Sequence, residues 1–106
     1  MGFFDFLKPA DINAGVEKFK STGGAVLLDV RTPAEYKSGH IPGSRNFPLD
    51  SIETLPRVIA DKNIPIFVHC FSGARSGQAA SAMRRMGYTN VTNIGGISGY
   101  RGKVVK

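Results

Sequence analysis

Two short, strongly apolar stretches constrain the fold of this chain more than any other sequence feature. They are Ala25–Val30 and Ile64–His69, and the first has the pattern of a strand that is buried on both faces. Helix signals lie between the two stretches. Strands that are connected through helices pair in parallel. We therefore expect an α/β fold in which helices sandwich a parallel β-sheet.

Local signals predict where the first two helices begin. Asp11 can cap a helix whose apolar positions follow helical spacing over residues 12–19. Thr32 and Glu35 have the spacing of a capping box. Pro33 stands at the first helical position, where its missing N–H costs nothing.

The second half of the chain alternates in the same way. Asp50 and Glu53 predict the start of a helix that Pro56 must kink or restart. The clearest helix is Arg75–Met86, which Gly87 can end in a left-handed conformation. Two further short strands are predicted, Ser44–Leu49 at a sheet edge and Val91–Ile94.

Composition limits the class of protein. The 106 residues fit one domain, residues 1–106 with its core over about 10–102, and 42% hydrophobic residues argue against disorder. A single cysteine excludes a disulfide framework and fits a reducing, cytoplasmic compartment.

No apolar stretch approaches the ~20 residues that span a membrane, so no membrane partner is expected. The net charge of +6 favours anionic partners, but the scattered basic residues form no nucleic-acid motif.

The first residues of the chain contain a small cluster of apolar side chains. Asp5 interrupts this cluster and no basic segment precedes it, so it is not a secretory signal. It is too short and too poorly basic for a helix at a membrane surface, and we expect it to pack on the domain's own core. The cluster consists of Phe3, Phe4, Phe6 and Leu7.

The strongest candidate for chemistry is a cysteine between a strand and a helix. Cys70 ends the second apolar stretch, a loop with Gly73 follows, and a helix begins around Arg75. Loop N–H groups and the first turn of a helix form an anion cradle at the carboxyl end of a strand. We expect the thiol pKa to fall there, which predicts an exposed thiolate nucleophile. The alternative is a small buried hydrophobe, and the loop residues favour the nucleophile.

Four motifs resemble those of the rhodanese-like sulfurtransferases over about residues 25–101. They are Leu28–Arg31, Gly39–Ser44 with Asn46, the Cys70–Arg75 loop, and Gly95-Gly96 followed by an aromatic residue. The resemblance implies a parallel sheet sandwiched by helices. It also implies that Cys70 takes a sulfane sulfur from a small anionic donor such as thiosulfate and holds it as a persulfide. An acceptor such as cyanide, a small thiol or a protein thiolate then removes the outer sulfur.

The length of the loop favours sulfur chemistry over phosphoryl chemistry. Four residues separate Cys70 from Arg75, and similar-looking cysteine phosphatases place one more residue there to surround a tetrahedral phosphate. The loop residues expected to bind substrate through their N–H groups are Phe71, Ser72, Gly73, Ala74 and Arg75. The alternatives are a non-catalytic rhodanese-fold binding module and a cysteine phosphatase or arsenate-reductase-like enzyme.

Several other polar residues have two interpretations. Arg75 can bind substrate oxyanions or orient the loop internally. For Asp29 and Arg31 an ion pair that braces neighbouring loops is favoured over a role in attracting anions. His69 and His40 are expected to be structural. Because the two histidines and the cysteine lack zinc-ligand spacing, we expect no metal and no cofactor, and we expect a monomer.

Overall fold

A four-stranded parallel sheet lies at the centre of the computed structural model, which describes residues 10–106. Its strands are β1 (Val26–Asp29), β2 (Ser44–Asn46), β3 (Ile66–Cys70) and β4 (Val91–Gly96). They lie in the order β2–β1–β3–β4, and each neighbouring pair is parallel. The predicted α/β class is confirmed. The two apolar stretches of the sequence supply the two central strands.

Helices flank this sheet. They are α1 (Ile12–Lys20), α2 (Pro33–Ser38), α3 (Ala74–Arg85) and two 3₁₀ helices, Leu49–Arg57 and Ile97–Gly99. Within residues 10–106, none of the helices has the length and apolar character needed to cross a membrane. The apolar cluster of Phe3, Phe4, Phe6 and Leu7 lies outside the described residues.

Two of the three predicted side-chain caps at helix starts are confirmed in detail. The Asp11 carboxylate accepts the N–H of Asn13 at 3.0 Å and so caps α1. The Thr32 hydroxyl accepts the N–H of Glu35 at 3.2 Å, and the Glu35 carboxylate accepts the N–H of Thr32 at 3.0 Å. This reciprocal pair is the predicted capping box of α2.

The predicted helix start at Asp50 is wrong. The segment is a 3₁₀ helix that begins at Leu49 after Pro48, and no side chain caps it. Pro56 lies inside this helix. Proline has no N–H to donate, and its ring clashes with the preceding turn of an α-helix, so Pro56 disfavours an α-helix over this segment.

Alternate residues of β3 divide the core into two layers. Val68 and Cys70 pack on one face of the sheet against residues such as Met83 of α3. Phe67 packs on the other face with Val16 of α1. Side chains of successive strand residues point to opposite faces. Both faces of β3 are therefore buried, which explains its continuous apolar sequence.

A β-bulge shapes the end of β4. Val68 pairs with Asn93, but the next residue, His69, pairs with Gly95, so the register shifts by one residue. Gly95 has a φ of 102°, in the left-handed region that favours glycine. Bulges bend a strand and redirect its end. Here the bulge brings Gly96 alongside the carboxyl end of β3.

Candidate active site

Cys70 is the last residue of β3, and its side chain lies on the face of the sheet that α3 covers. The residue is only 1% exposed, so the prediction of an exposed nucleophile is wrong. The reason is that Cys70 still belongs to the strand, and strand alternation turns its side chain into the core that α3 covers.

Hydrogen-bond donors surround the thiol sulfur. The N–H of Gly73 lies 3.0 Å from Cys70 Sγ, and the Ser76 hydroxyl lies 3.4 Å from it. Burial raises the pKa of the Cys70 thiol, but the Ser76 hydroxyl and the N–H groups of Ser76, Gly73 and Ser72 together lower it by more. The pKa of Cys70 consequently lies below the ordinary value of 9.0. The thiolate is more populated near neutral pH than in an unstructured peptide.

Two glycines allow the loop to approach the sulfur so closely. Gly73 has a φ of 104° and immediately precedes α3, so its N–H can turn toward Cys70. Gly96 faces the loop backbone, where a Cβ atom would clash with the Phe71 carbonyl and with Ser72 Cα. The bulge in β4 and the absence of a side chain at Gly96 thus hold the loop in place.

Ser76 is a residue of the candidate site that the sequence interpretation does not predict. Its buried hydroxyl lies 2.8 Å from Asn93 Oδ1 and 3.0 Å from the Gly73 carbonyl, besides its contact with the Cys70 sulfur. A hydroxyl has one proton and can donate it to one acceptor at a time. A thiolate is a stronger acceptor than a thiol. The Ser76 hydroxyl can therefore turn from Asn93 to the sulfur when Cys70 ionises.

The only sequence signal for this contact is the position of a small polar residue near the start of α3. Small residues along this part of the helix predict close packing on the sheet, and Ser76, Ala79 and Ala80 are indeed buried. The partner of the Ser76 hydroxyl, Asn93, lies 17 residues further along the chain on β4. A contact of that separation is set by strand order and not by local spacing.

Arg75, at the end of the loop, pairs with α2. Its Nη1 and Nη2 donate to Glu35 Oε1 and Oε2 at 2.8 and 3.0 Å, which is a bidentate ion pair. The hydrogen bonds from Arg75 hold the pKa of Glu35 at about 2, so the carboxylate is ionised at neutral pH. Of the two predicted roles of Arg75, the internal one is thus present in the structure. Substrate binding by the remaining donors of the guanidinium stays a prediction.

The Asp29–Arg31 pair braces the carboxyl end of β1, as the favoured interpretation predicts. Arg31 Nη2 donates to Asp29 Oδ2 at 2.7 Å and to the carbonyl of Gly39 at 2.9 Å. The side chains of the pair are 5% and 0% exposed. Such a buried pair is stable only while both partners are present.

Neither histidine contacts the Cys70 sulfur. His69 Nδ1 lies 3.0 Å from the Cys70 carbonyl oxygen, and its Nε2 lies 3.7 Å from Asp29 Oδ2. Burial lowers the pKa of His69 more than the nearby Asp29 carboxylate raises it, so the ring is neutral near pH 7. His40 Nδ1 lies 2.9 Å from the Tyr36 carbonyl. These contacts fit the predicted structural roles.

The predicted substrate-binding residues occupy different positions around the sulfur. Ser72 and Gly73 direct N–H groups at it. The Phe71 side chain is 50% exposed, and its carbonyl accepts the N–H of Ser98. Ala74 begins α3, and Arg75 is the next residue of that helix. The N–H groups of Phe71, Ala74 and Arg75 remain predicted hydrogen-bond donors to the outer sulfur of a persulfide, an atom that the free thiol lacks.

A cavity of about 130 Å³ lies beside the Arg75 end of the loop. It is lined by Val30, Thr32, Pro48, Leu49, Asp50 and Arg75. Its charged residues are Arg75 and Asp50, and Glu35 already neutralises the charge of Arg75. The space is large enough for a small anion or for the end of a thiol compound.

Comparisons with known proteins agree with this architecture. The model of the rhodanese-like domain family matches residues 13–103. Thiosulfate sulfurtransferase PspE of Escherichia coli is 41% identical over 71 residues, which cover 66% of this chain and 68% of that protein. A tRNA uridine(34) hydroxylase of Erwinia tasmaniensis is 35% identical over 101 residues, which cover 90% of this chain but 28% of that protein.

Solved structures show the same likeness. The structure described as rhodanese with anions from Escherichia coli has a TM-score of 0.71 and 37% sequence identity. The alignment covers 77% of this chain and 98% of that one. The four strands and the Cys70 loop all lie within the residues matched by the family model.

Proposed function

This chain belongs to the rhodanese-like domain family, and on that premise we propose that it is a sulfurtransferase that carries a sulfane sulfur on Cys70. One observation carries the proposal: the Cys70 sulfur is the acceptor of the Gly73 N–H and the Ser76 hydroxyl, with its pKa below the ordinary value. A thiolate held by neutral donors is a nucleophile at neutral pH. The name of the relative PspE makes thiosulfate the first donor to test.

In the first step the Cys70 thiolate attacks the sulfane sulfur of thiosulfate. A bond forms between Sγ and that sulfur, and the bond to the sulfonate sulfur breaks. Sulfite leaves with the electron pair, and Cys70 becomes a persulfide. The negative charge then sits on the outer sulfur, where the N–H groups of residues 71–75 and the N-terminus of α3 can stabilise it.

In the second step an acceptor attacks the outer sulfur. With cyanide, a carbon–sulfur bond forms, thiocyanate leaves, and the electron pair of the broken sulfur–sulfur bond returns to Sγ as thiolate. A small thiol or a protein thiolate can replace cyanide. Since Cys70 is the single cysteine of this sequence, such an acceptor thiol must come from another molecule.

Mass spectrometry of the intact protein tests the nucleophile and the reaction class together. After incubation with thiosulfate, the reduced protein should gain the mass of one sulfur atom, and cyanide should remove it as thiocyanate. Cys70→Ser should gain no sulfur. Ser81→Ala is the matched control, because Ser81 lies on the exposed face of α3 and its loss should leave both steps unchanged.

The alternatives predict different results in the same samples. If the reduced wild-type protein takes up no sulfur and forms no thiocyanate, the proposal fails. A non-catalytic binding module predicts that Cys70 resists alkylating reagents near neutral pH. A phosphatase predicts hydrolysis of an aryl phosphate that is lost in Cys70→Ser.

A further inference from the structure

The charge on Arg75 is the feature of this site that bears on which sulfur donors it accepts. Among residues 10–106, Arg75, in the first turn of α3, is the one cation that lines the cavity described above. Its side chain is 35% exposed, so a ligand in the cavity can approach it. An unpaired guanidinium in that position would attract a sulfur oxyanion such as thiosulfate.

Glu35 removes most of that attraction. The carboxylate binds both terminal nitrogens of Arg75 at 2.8 and 3.0 Å, and it is ionised because its pKa is about 2. The capping box also holds Glu35 in place, since the same carboxylate accepts the N–H and the hydroxyl of Thr32 at 3.0 and 3.1 Å. The pairing is therefore anchored to the backbone of α2 and does not depend on a freely moving side chain.

Asp50 makes the cavity still less favourable for a dianion. It lines the same cavity as Arg75, and among the described residues no hydrogen bond or ion pair neutralises it. Arg75, Glu35 and Asp50 together carry one net negative charge. A dianion in this cavity is repelled by that charge, whereas a donor with a single negative charge is repelled only half as strongly.

We infer that Glu35 is a specificity-determining residue, which pairs with Arg75 and so makes the site prefer sulfane donors with a single negative charge over the thiosulfate dianion. This inference rests on the proposed sulfurtransferase function. The preferred class comprises monoanionic donors, such as organic thiosulfonates and thiol persulfides. With methanethiosulfonate, the Cys70 thiolate takes the terminal sulfur, the sulfur–sulfur bond breaks, and methanesulfinate leaves with the electron pair.

Two donors that differ by one charge test the inference. Thiosulfate and methanethiosulfonate both present a sulfane sulfur bound to an oxidised sulfur. The experiment measures kcat/KM for each donor, with cyanide as acceptor, in the wild-type protein and in Glu35→Gln. The glutamine can still accept the Thr32 N–H, so the capping box survives. We expect the ratio of thiosulfate to methanethiosulfonate kcat/KM to rise about fivefold in the variant, through KM, and less at high salt.

Glu17→Gln is the matched control. It makes the same chemical change on α1, which packs on the opposite face of the sheet, and the ratio should stay at the wild-type value. If Glu35→Gln also leaves the ratio unchanged while the wild-type protein uses the donors, the inference about Glu35 is wrong and the sulfurtransferase proposal stands. If the wild-type protein uses neither donor, both are wrong.

A second variant guards against a folding defect in Glu35→Gln. Asp50 is exposed, so Asp50→Asn removes a negative charge from the cavity with little effect on the core. It should move the donor ratio in the same direction, by about twofold. A ratio that falls in Asp50→Asn would overturn the charge argument even if Glu35→Gln could not be purified.

Discussion

The carboxyl ends of the two central strands stabilise negative charge in different ways, one with a cation and the other with neutral hydrogen-bond donors. At the end of β1, the Asp29 carboxylate is bound by the Arg31 guanidinium at 2.7 Å in a buried ion pair. At the end of β3, the Cys70 sulfur is held by neutral N–H and O–H donors. The cation of that loop, Arg75, is directed to Glu35 instead.

This difference separates a brace from a reactive site. A full cation beside an anion in a buried site fixes its charge, because removing either partner leaves an uncompensated buried charge. Neutral donors stabilise an anion more weakly, so the sulfur can alternate between thiolate and persulfide without a large change in electrostatic energy. The end of β1 is therefore suited to holding loops together, and the end of β3 to chemistry.

Breaking the Asp29–Arg31 ion pair should change the protein most. In Arg31→Met the Asp29 carboxylate, which is fully buried, loses its cation. The free energy of unfolding should fall by about 3–5 kcal/mol in urea denaturation at pH 7. Arg45→Met, on the exposed side of β2, is the control and should change it little. A loss below about 1 kcal/mol in Arg31→Met would show that the pair is not a brace.

The next effect comes from displacing the loop that surrounds the sulfur. A methyl group at Gly96 would meet the Phe71 carbonyl, so Gly96→Ala should shift the loop and slow sulfur loading about 100-fold. Loading can be followed by mass spectrometry over time. Gly23→Ala adds the same methyl group where nothing lies within 4 Å, and it should load at the wild-type rate. Equal rates in the two variants would contradict the proposed role of the loop.

A smaller effect should follow from removing one neutral donor. Ser76→Ala deletes the hydroxyl that lies 3.4 Å from the Cys70 sulfur. A hydrogen bond to a charged group contributes about 1.5–3 kcal/mol, so alkylation near neutral pH should slow by about tenfold or more because the thiol pKa rises. The pH dependence of alkylation by iodoacetamide measures it, with Ser81→Ala as control. An unchanged pH profile in Ser76→Ala would mean that Ser76 only packs against the sheet.

The smallest effect is the response of stability to acid. Burial lowers the pKa of His69 from 6.5, so below that pH the unfolded chain binds the proton first and stability begins to fall. The pKa of Glu35 falls from 4.5 to about 2, so its contribution is lost as pH drops through that range. Since Glu35 is one-third exposed, solvent screening limits this part to about 1 kcal/mol.

Urea denaturation between pH 7.5 and pH 3 measures both contributions. Below pH 4.5 the stability of Glu35→Gln should decline less steeply than that of the wild-type protein, and the decline that begins near pH 6.5 should remain. A wild-type protein whose stability is constant over this range would contradict both assignments.

Much of the fold was predictable because its signals are local. The capping box of Thr32 and Glu35 depends on the geometry of one helical turn, and the spacing of these two residues is enough to predict it. The helix expected at Asp50 was wrong, because the spacing of Asp50 and Glu53 competes with Pro56, which cannot donate within an α-helix. A helix start is thus predicted correctly where a single local signal acts, and incorrectly where a capping pattern and a proline conflict.

The site itself was predictable only in part. The order of strand, loop and helix identifies Cys70, Gly73 and the helix start from the sequence. The same residues do not reveal that Glu35, 40 positions away from Arg75, neutralises it. Nor do they reveal the contact between Ser76 and Asn93.

Local sequence patterns are enough to predict the alternation of strands and helices, the helix caps at Asp11 and Thr32, and a cysteine at the end of an apolar strand. Only the packing of the helices on the sheet buries Cys70, brings Ser76 to its sulfur and selects the acidic residue that binds Arg75. The two kinds of feature differ in the sequence separation over which they act. Caps and strand patterns act over a few residues, whereas the contacts of the site depend on which strand ends and helices the sheet order places side by side.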